Sequence, residues 1–170
     1  ISATIDAGPV MIYFGQEVGE PGKGAEGFSG EDGRTTIFDY WGVPEHQKWV
    51  NKGAFDDSLL NDGQKTLRKY YSALLNLAKT NQAITQGEYE DLTAFNVQKA
   101  NFGEDVNAYV RYHGKERLLI INSFNDVPTS VKISLAPSVM EAFGVKASDQ
   151  LTFRDILWGE QQLLLEDGAA

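Results

Sequence analysis

Glu17 is the carboxylate whose surroundings in the sequence are most distinctive. It closes the stretch Gly8-Pro9-Val10-Met11-Ile12-Tyr13-Phe14-Gly15-Gln16-Glu17, in which an apolar run breaks at a glycine into two polar residues. A carboxylate at the end of a buried strand can serve as a general acid, base or nucleophile, or it can be held at the rim by backbone amides or an arginine. Both readings of Glu17 stand at this level. Asp32 and Arg34 follow at the end of a glycine-rich stretch. They read as a solvated turn or as a charged pair able to clasp ligand hydroxyls. Phe38, Tyr40 and Trp41 cluster a few residues on, as a flat stacking platform or as packed core. His46, beside Trp49, reads as a packed or surface histidine, and His113, next to Gly114, as a solvent-facing one.

The elements that would position these groups follow from periodicity. Residues 10–14 show no polar alternation, which predicts a strand buried on both faces, with Glu17 beyond its C-terminal edge, where parallel α/β folds bind ligands. Gly15, Gly19, Gly22, Gly24, Gly27, Gly30 and Gly33, interspersed with Glu20, Glu26, Glu31 and Asp32, predict a long polar loop, of a length that is usually functional or mobile. Their spacing is not that of a phosphate-binding loop, and no Gly-Lys-Ser/Thr follows. Val43-Pro44-Glu45 marks a turn or helix entrance. Leu67, Tyr70, Tyr71, Leu74, Leu75 and Ala78 then recur at helical spacing, with Asn61 or Asp62 as the cap. After about residue 86 the pattern changes to short β-rich runs at 92–97, 106–113, 117–124, 129–135, 151–153 and 161–165, separated by turn signals such as Gly114-Lys115 and Asn125-Asp126. These predict an antiparallel sandwich and a domain boundary at 84–88.

Composition narrows the classes of function. The chain has 170 residues, 42% of them apolar, enough for a sizeable core. Lys and Arg number 15 against 24 Asp and Glu, a net charge of −9, and both halves are acidic, so neither nucleic acid nor an anionic membrane surface is the expected partner. With no cysteine, disulfides and thiol chemistry are excluded, and with two histidines a His-rich metal site is not expected. No apolar run has the length of a membrane span, and no secretory signal is visible. Localisation stays open among cytoplasm, periplasm and export.

The stretch from Gly8 to Glu17 resembles the motif on the eighth barrel strand of the α-amylase superfamily of glycoside hydrolases, although Gly8 and Pro9 are adjacent where many relatives have one residue between them. The order downstream is similar as well: a glycine-rich loop, Gly33-Arg34-Thr35-Thr36-Ile37-Phe38-Asp39-Tyr40, a helix containing Leu67-Arg68-Lys69-Tyr70-Tyr71, then β-rich sequence. The resemblance implies an α+β piece: the last βα unit of a (β/α)8 barrel over residues 1–85 and an antiparallel β-sandwich over 86–170. It also implies a retaining α-glucan hydrolase or transglycosylase working with an aspartate nucleophile, a glutamate acid/base and an assisting aspartate. Those residues, and the Asn-His-Asp motif that accompanies the last of them, belong to strands four, five and seven and have no counterpart here. Glu17 then matches the strand-eight glutamate that supports the site without cleaving the bond. Asp32 and Arg34 match an Asp and Arg that contact sugars at the non-reducing subsites, and Tyr40 and Trp41 join them on the active-site rim.

The chain is accordingly expected to be an incomplete, C-terminal part of such an enzyme, inactive alone, with α-glucan or maltooligosaccharide as the partner of the whole. No cofactor is identifiable. Calcium, where the family binds it, generally depends on residues upstream. Leu157-Trp158-Gly159-Glu160, Leu163-Leu164-Leu165 and Asp167-Gly168 usually lead to one more closing strand in the family. The rival reading is a non-catalytic carbohydrate-binding or interaction module built on the sandwich and on Phe38, Tyr40 and Trp41. Self-association through an exposed strand edge or a bare barrel face is a third expectation.

Overall fold

The computed structural model describes residues 1–21, 43–149 and 151–157, together with the backbone of 162–165. The chain divides into two compact units, one made of Pro9–Leu75 and the other of Ile1–Gly8 with Asn76–Ala170.

Among the described residues of the first unit a 3-10 turn, Gln16–Val18, precedes helix α1 (Pro44–Val50), a second 3-10 turn, Asn51–Gly53, follows it, and helix α2 (Asp62–Thr80) begins here and runs on into the second unit. The start of α2 is a reciprocal cap. Asn61 Oδ1 accepts from the Gln64 amide at 3.0 Å, and Gln64 Oε1 accepts from the Asn61 amide at 3.1 Å, so two otherwise unpaired donors are satisfied. The apolar stripe of α2 lies where the periodicity places it, and all six of its residues are half-buried. Residues 10–14, expected as a strand, have no regular secondary structure. Val10, Ile12 and Phe14 are half-buried while Met11 and Tyr13 are exposed, Met11 at 86%. The alternation is that of a strand, but no described strand pairs with these residues, and without a ladder the run does not become one.

The second unit is built on a three-stranded antiparallel sheet, β1 (Glu88–Asp91), β2 (Val106–His113) and β3 (Glu116–Ser123), in that spatial order. β2 and β3 are joined by the two-residue loop Gly114-Lys115, and the register runs from His113 opposite Glu116 to Val106 opposite Ser123. Val106, Ala108 and Val110 of β2 face a core completed by Leu92, Phe102, Ile133, Leu135, Val139 and Phe143. The last two belong to helix α5 (Pro137–Phe143). Strands β4 (Leu151–Arg154) and β5 (Gln162–Leu165) form a separate antiparallel pair.

Two expected strands are replaced, for visible reasons. Residues 92–97 become a helical turn, α4 (Thr93–Asn96), because the Asp91 carboxylate accepts from the Thr93 and Ala94 amides at 2.9 and 3.2 Å and caps it. Among the described residues, 129–135 form no strand beyond an isolated bridge at Ser134, because part of their main chain bonds elsewhere. The Ser134 amide donates to Asn96 Oδ1 at 2.7 Å, Asn96 Nδ2 donates to Ser134 O at 2.9 Å, and the Lys132 amide donates to Asn101 O. Asn96 is fully buried, so one side-chain amide stands in for a neighbouring strand.

The opposite face of the sheet carries Tyr109, at 0% exposure, and Arg111, at 5%. Residues 1–5 and helix α3 (Gln82–Thr85) lie against it. The Thr4 and Tyr109 hydroxyls meet at 2.6 Å, and Arg111 donates to the carbonyls of Ile5, Ala83, Ile84 and Gly87 at 2.6–3.0 Å. A side chain at position 87 has no room: a Cβ there would sit 2.2 Å from Ala83 O and 2.6 Å from Tyr112 O, so only glycine permits this approach.

Candidate functional site

The site around Glu17 lies wholly within the Pro9–Leu75 unit and begins with a glycine. Gly15 has φ 78°, and a Cβ on it would come within 2.8 Å of Glu20 Cβ and 3.3 Å of His46 Cβ. The left-handed turn this allows brings the chain round into Gln16–Val18. The amides of both Val18 and Glu20 bond back to Gly15 O. Val18, fully buried, fixes the turn from below, and its carbonyl accepts from Gln64 Nε2 of α2 at 3.1 Å.

The same turn orients α1. Glu20 Oε2 accepts from the amides of Glu45 and His46, both at 2.8 Å, and so caps a helix whose own N-cap, Val43, offers no side-chain acceptor. That cap sets His46 against Phe14, with ring centroids 4.2 Å apart and planes inclined by 49°. It also brings His46 Nδ1 to 4.0 Å from Glu17 Oε1. From α2, Arg68 Nη1 reaches 3.8 Å from the same oxygen, while its guanidinium lies over the Trp49 ring at 3.4 Å from the centroid. The Arg68 separation is that of an ion pair, the His46 one is a polar contact, and both are too long for hydrogen bonds. Glu17 and His46 side chains are each 19% exposed and Arg68 34%, so the cluster opens to water from a mostly covered floor.

A buttress lies next to it. Glu45 bonds Lys48 Nζ at 2.6 Å and Gln64 Nε2 at 2.5 Å. The Lys48 bond, with the Gln64 bond and the Lys48 charge behind it, holds the Glu45 carboxyl below the usual glutamate value against the opposing effect of desolvation.

Of the residues singled out in the sequence, Glu17 is thus placed and engaged. Asp32, Arg34, Tyr40, Trp41 and Phe38 lie outside the described residues. His46, read as packed or at the surface, is packed and also faces Glu17. Arg68, Trp49, Glu20 and Gln64 enter the site without having been singled out as site residues. Gln64 and Arg68 stand four apart on α2, and that spacing puts both on the helix face turned to the Gln16–Val18 turn. Among the described residues no group of three or more His, Asp or Glu side chains is arranged to hold a metal ion, and no helix is long and apolar enough to cross a membrane.

A carboxylate oxygen turned toward an imidazole and a guanidinium, on a turn locked by glycine, is built to stay in one place. It can orient neighbouring groups and fix a rim. No protein-family model matches the chain, and neither a curated protein nor a solved structure matches it.

Proposed function

We propose that this chain is the C-terminal part of an α-amylase-like retaining glycoside hydrolase acting on α-glucans. In this reading Glu17 orients the active-site rim, and the bond-cleaving Asp, Glu and Asp lie on barrel strands upstream of Ile1. The observation that carries the reading is the resemblance of the stretch from Gly8 to Glu17, now with its glutamate engaged by His46 and Arg68. A glycosidase acid must give up a proton to the leaving oxygen, and a nucleophile must approach the sugar carbon. A carboxylate turned toward Arg68 and His46 suits a supporting task, in which it orients those neighbours.

Two further observations agree with a barrel layer to be added. Met11 and Tyr13 are exposed between half-buried Val10, Ile12 and Phe14, as in a strand with one face uncovered. The six stripe residues of α2 are half-buried, so the face is partly covered and leaves room for a further layer. In this reading the β-rich second unit, with its three-stranded sheet and its separate β4–β5 pair, stands where such enzymes carry a C-terminal sandwich, and α-glucan is the partner of the complete protein.

The test is the reading frame upstream of Ile1 together with the activity of its product. The expected frame encodes an Asn-His-Asp motif and the two earlier carboxylates. Its full product should release reducing ends from soluble starch and maltooligosaccharides, while the 170-residue chain releases none. Turnover by the 170-residue chain, or an upstream frame without those residues, overturns the proposal.

A further inference from the structure

The two edges of the three-stranded sheet are built differently. β1, one edge, is four residues long and carries Glu88, Glu90 and Asp91 around Tyr89. β3, the other, is eight residues long and reads Glu-Arg-Leu-Leu-Ile-Ile-Asn-Ser. Among the described residues β3 pairs on one side only, with β2. Natural sheets protect an open edge with charge, proline or brevity. β1 has charge and brevity. Residues 118–121 at the centre of β3 have neither charge nor proline, and Ile121 is 37% exposed.

We propose that the β3 edge docks on the β3 edge of a second copy of this chain, making a continuous six-stranded antiparallel sheet. Register and charge select that occupant. A two-fold axis perpendicular to the sheet preserves its faces, so paired residues must lie on the same face and the axis must pass through a residue position. Centred on Leu119, the pairing sets Leu118 opposite Ile120, Arg117 opposite Ile121 and Glu116 opposite Asn122. Centred on Ile120, it sets Leu119 opposite Ile121, Leu118 opposite Asn122 and Arg117 opposite Ser123. In neither register does Glu116 or Arg117 face its own copy, and apolar residues pair at the centre.

The same operation on β1 fails. Centred on Tyr89 it opposes Glu88 to Glu90, and centred on Glu90 it opposes Glu90 to itself, so like charges meet in each case. Self-pairing is therefore permitted at one edge and forbidden at the other. The pairing closes this sheet as a dimer, because joining two β3 strands uses the permissive edge of each three-stranded sheet and leaves the acidic β1 edges outermost. The net charge of −9 on each copy opposes association, so added salt should tighten the dimer by screening that repulsion.

The experiment is sedimentation equilibrium of the full 170-residue chain across a range of concentration and salt. The expected result is a reversible species of twice the 18.8 kDa chain mass, strengthened by salt. Ile121→Lys should abolish it, since the lysine would face Leu119 in one register and Arg117 in the other. Tyr89→Lys, on the opposite edge, should leave it intact, with circular dichroism confirming both folds. Amide hydrogen exchange supplies a readout that does not depend on a variant: alternate amides of β3 should gain protection on going from dilute to concentrated protein. A chain that stays monomeric throughout overturns the proposal. So does a dimer that survives Ile121→Lys, one equally lost in Tyr89→Lys, or one that forms without protecting β3.

Discussion

Four main-chain carbonyls surround the Arg111 guanidinium, three of them from residues 83, 84 and 87, at the end of α3 and just beyond it, and one from Ile5. A guanidinium at 5% exposure is desolvated on both faces, and fixed carbonyl dipoles replace the lost water. Methionine at 111 would keep the length and the packing but leave those carbonyls without a donor. Arg111→Met should therefore cost about 1–3 kcal/mol, the scale for leaving buried acceptors without a donor. Urea unfolding with an unchanged m-value would check it, and a loss below about 1 kcal/mol would show that water replaces the guanidinium. Glu45 gives a second residue-scale expectation, with a sign. Its folded-state carboxyl, bonded by Lys48 and then Gln64, titrates below its ordinary 4.5. The stabilisation is thus complete above the unfolded value and is lost as pH falls through the depressed folded one. Glu45→Gln should flatten the acid limb of the stability–pH curve below about pH 4.5 and leave its slope near neutrality unchanged.

Elements were legible in proportion to how far their cause is local. The stripe and reciprocal cap of α2, and the β2–β3 hairpin, are written in neighbouring residues, and the structure forms them there. Residues 129–135 have a strand-like composition, yet the Ser134 amide and carbonyl are both taken by the side chain of Asn96, 38 positions earlier. No periodicity reports that. The site divides in the same way: the glycine break before Glu17 is visible in the sequence, whereas Arg68 reaches Glu17 only because α2 folds beside the Gln16–Val18 turn. The turn itself depends on Gly15, where φ is 78° and a Cβ would approach both Glu20 and His46. Gly15→Ala should cost about 1–3 kcal/mol of backbone strain. The added methyl would also push His46 away from Glu17. Histidine NMR can follow this, since the His46 ring resonances should move while those of His113, in the other unit, stay fixed. Unmoved His46 resonances with unchanged stability would show that the turn tolerates a side chain.

At the scale of the whole molecule, chain order and compact unit do not coincide. Ile1–Gly8 belongs with Asn76–Ala170, and Pro9–Leu75 is an excursion between these two pieces. The first residues contribute specific contacts to the second unit: Ala3 and Thr4 are buried, Thr4 meets the Tyr109 hydroxyl, and Ile5 O accepts from Arg111. Burial on this face also pushes the Tyr109 phenol above its ordinary 10.0, with the Thr4 bond pulling partly the other way. A segment that covers two buried polar side chains cannot be removed neutrally, because Tyr109 and Arg111 would each lose a partner and become solvated. A chain starting at Pro9 should therefore show faster amide exchange along β2, by at least about tenfold for each 1.4 kcal/mol lost. Exchange in α1 should stay at its full-length rate. The desolvation that raises Tyr109 should fade as well, so one phenol fewer should titrate above the ordinary range. Supplying a peptide of residues 1–8 in trans should slow β2 exchange again in proportion to its occupancy. Equal β2 protection with and without the segment would mean that the sheet is self-sufficient and that residues 1–8 merely rest on it.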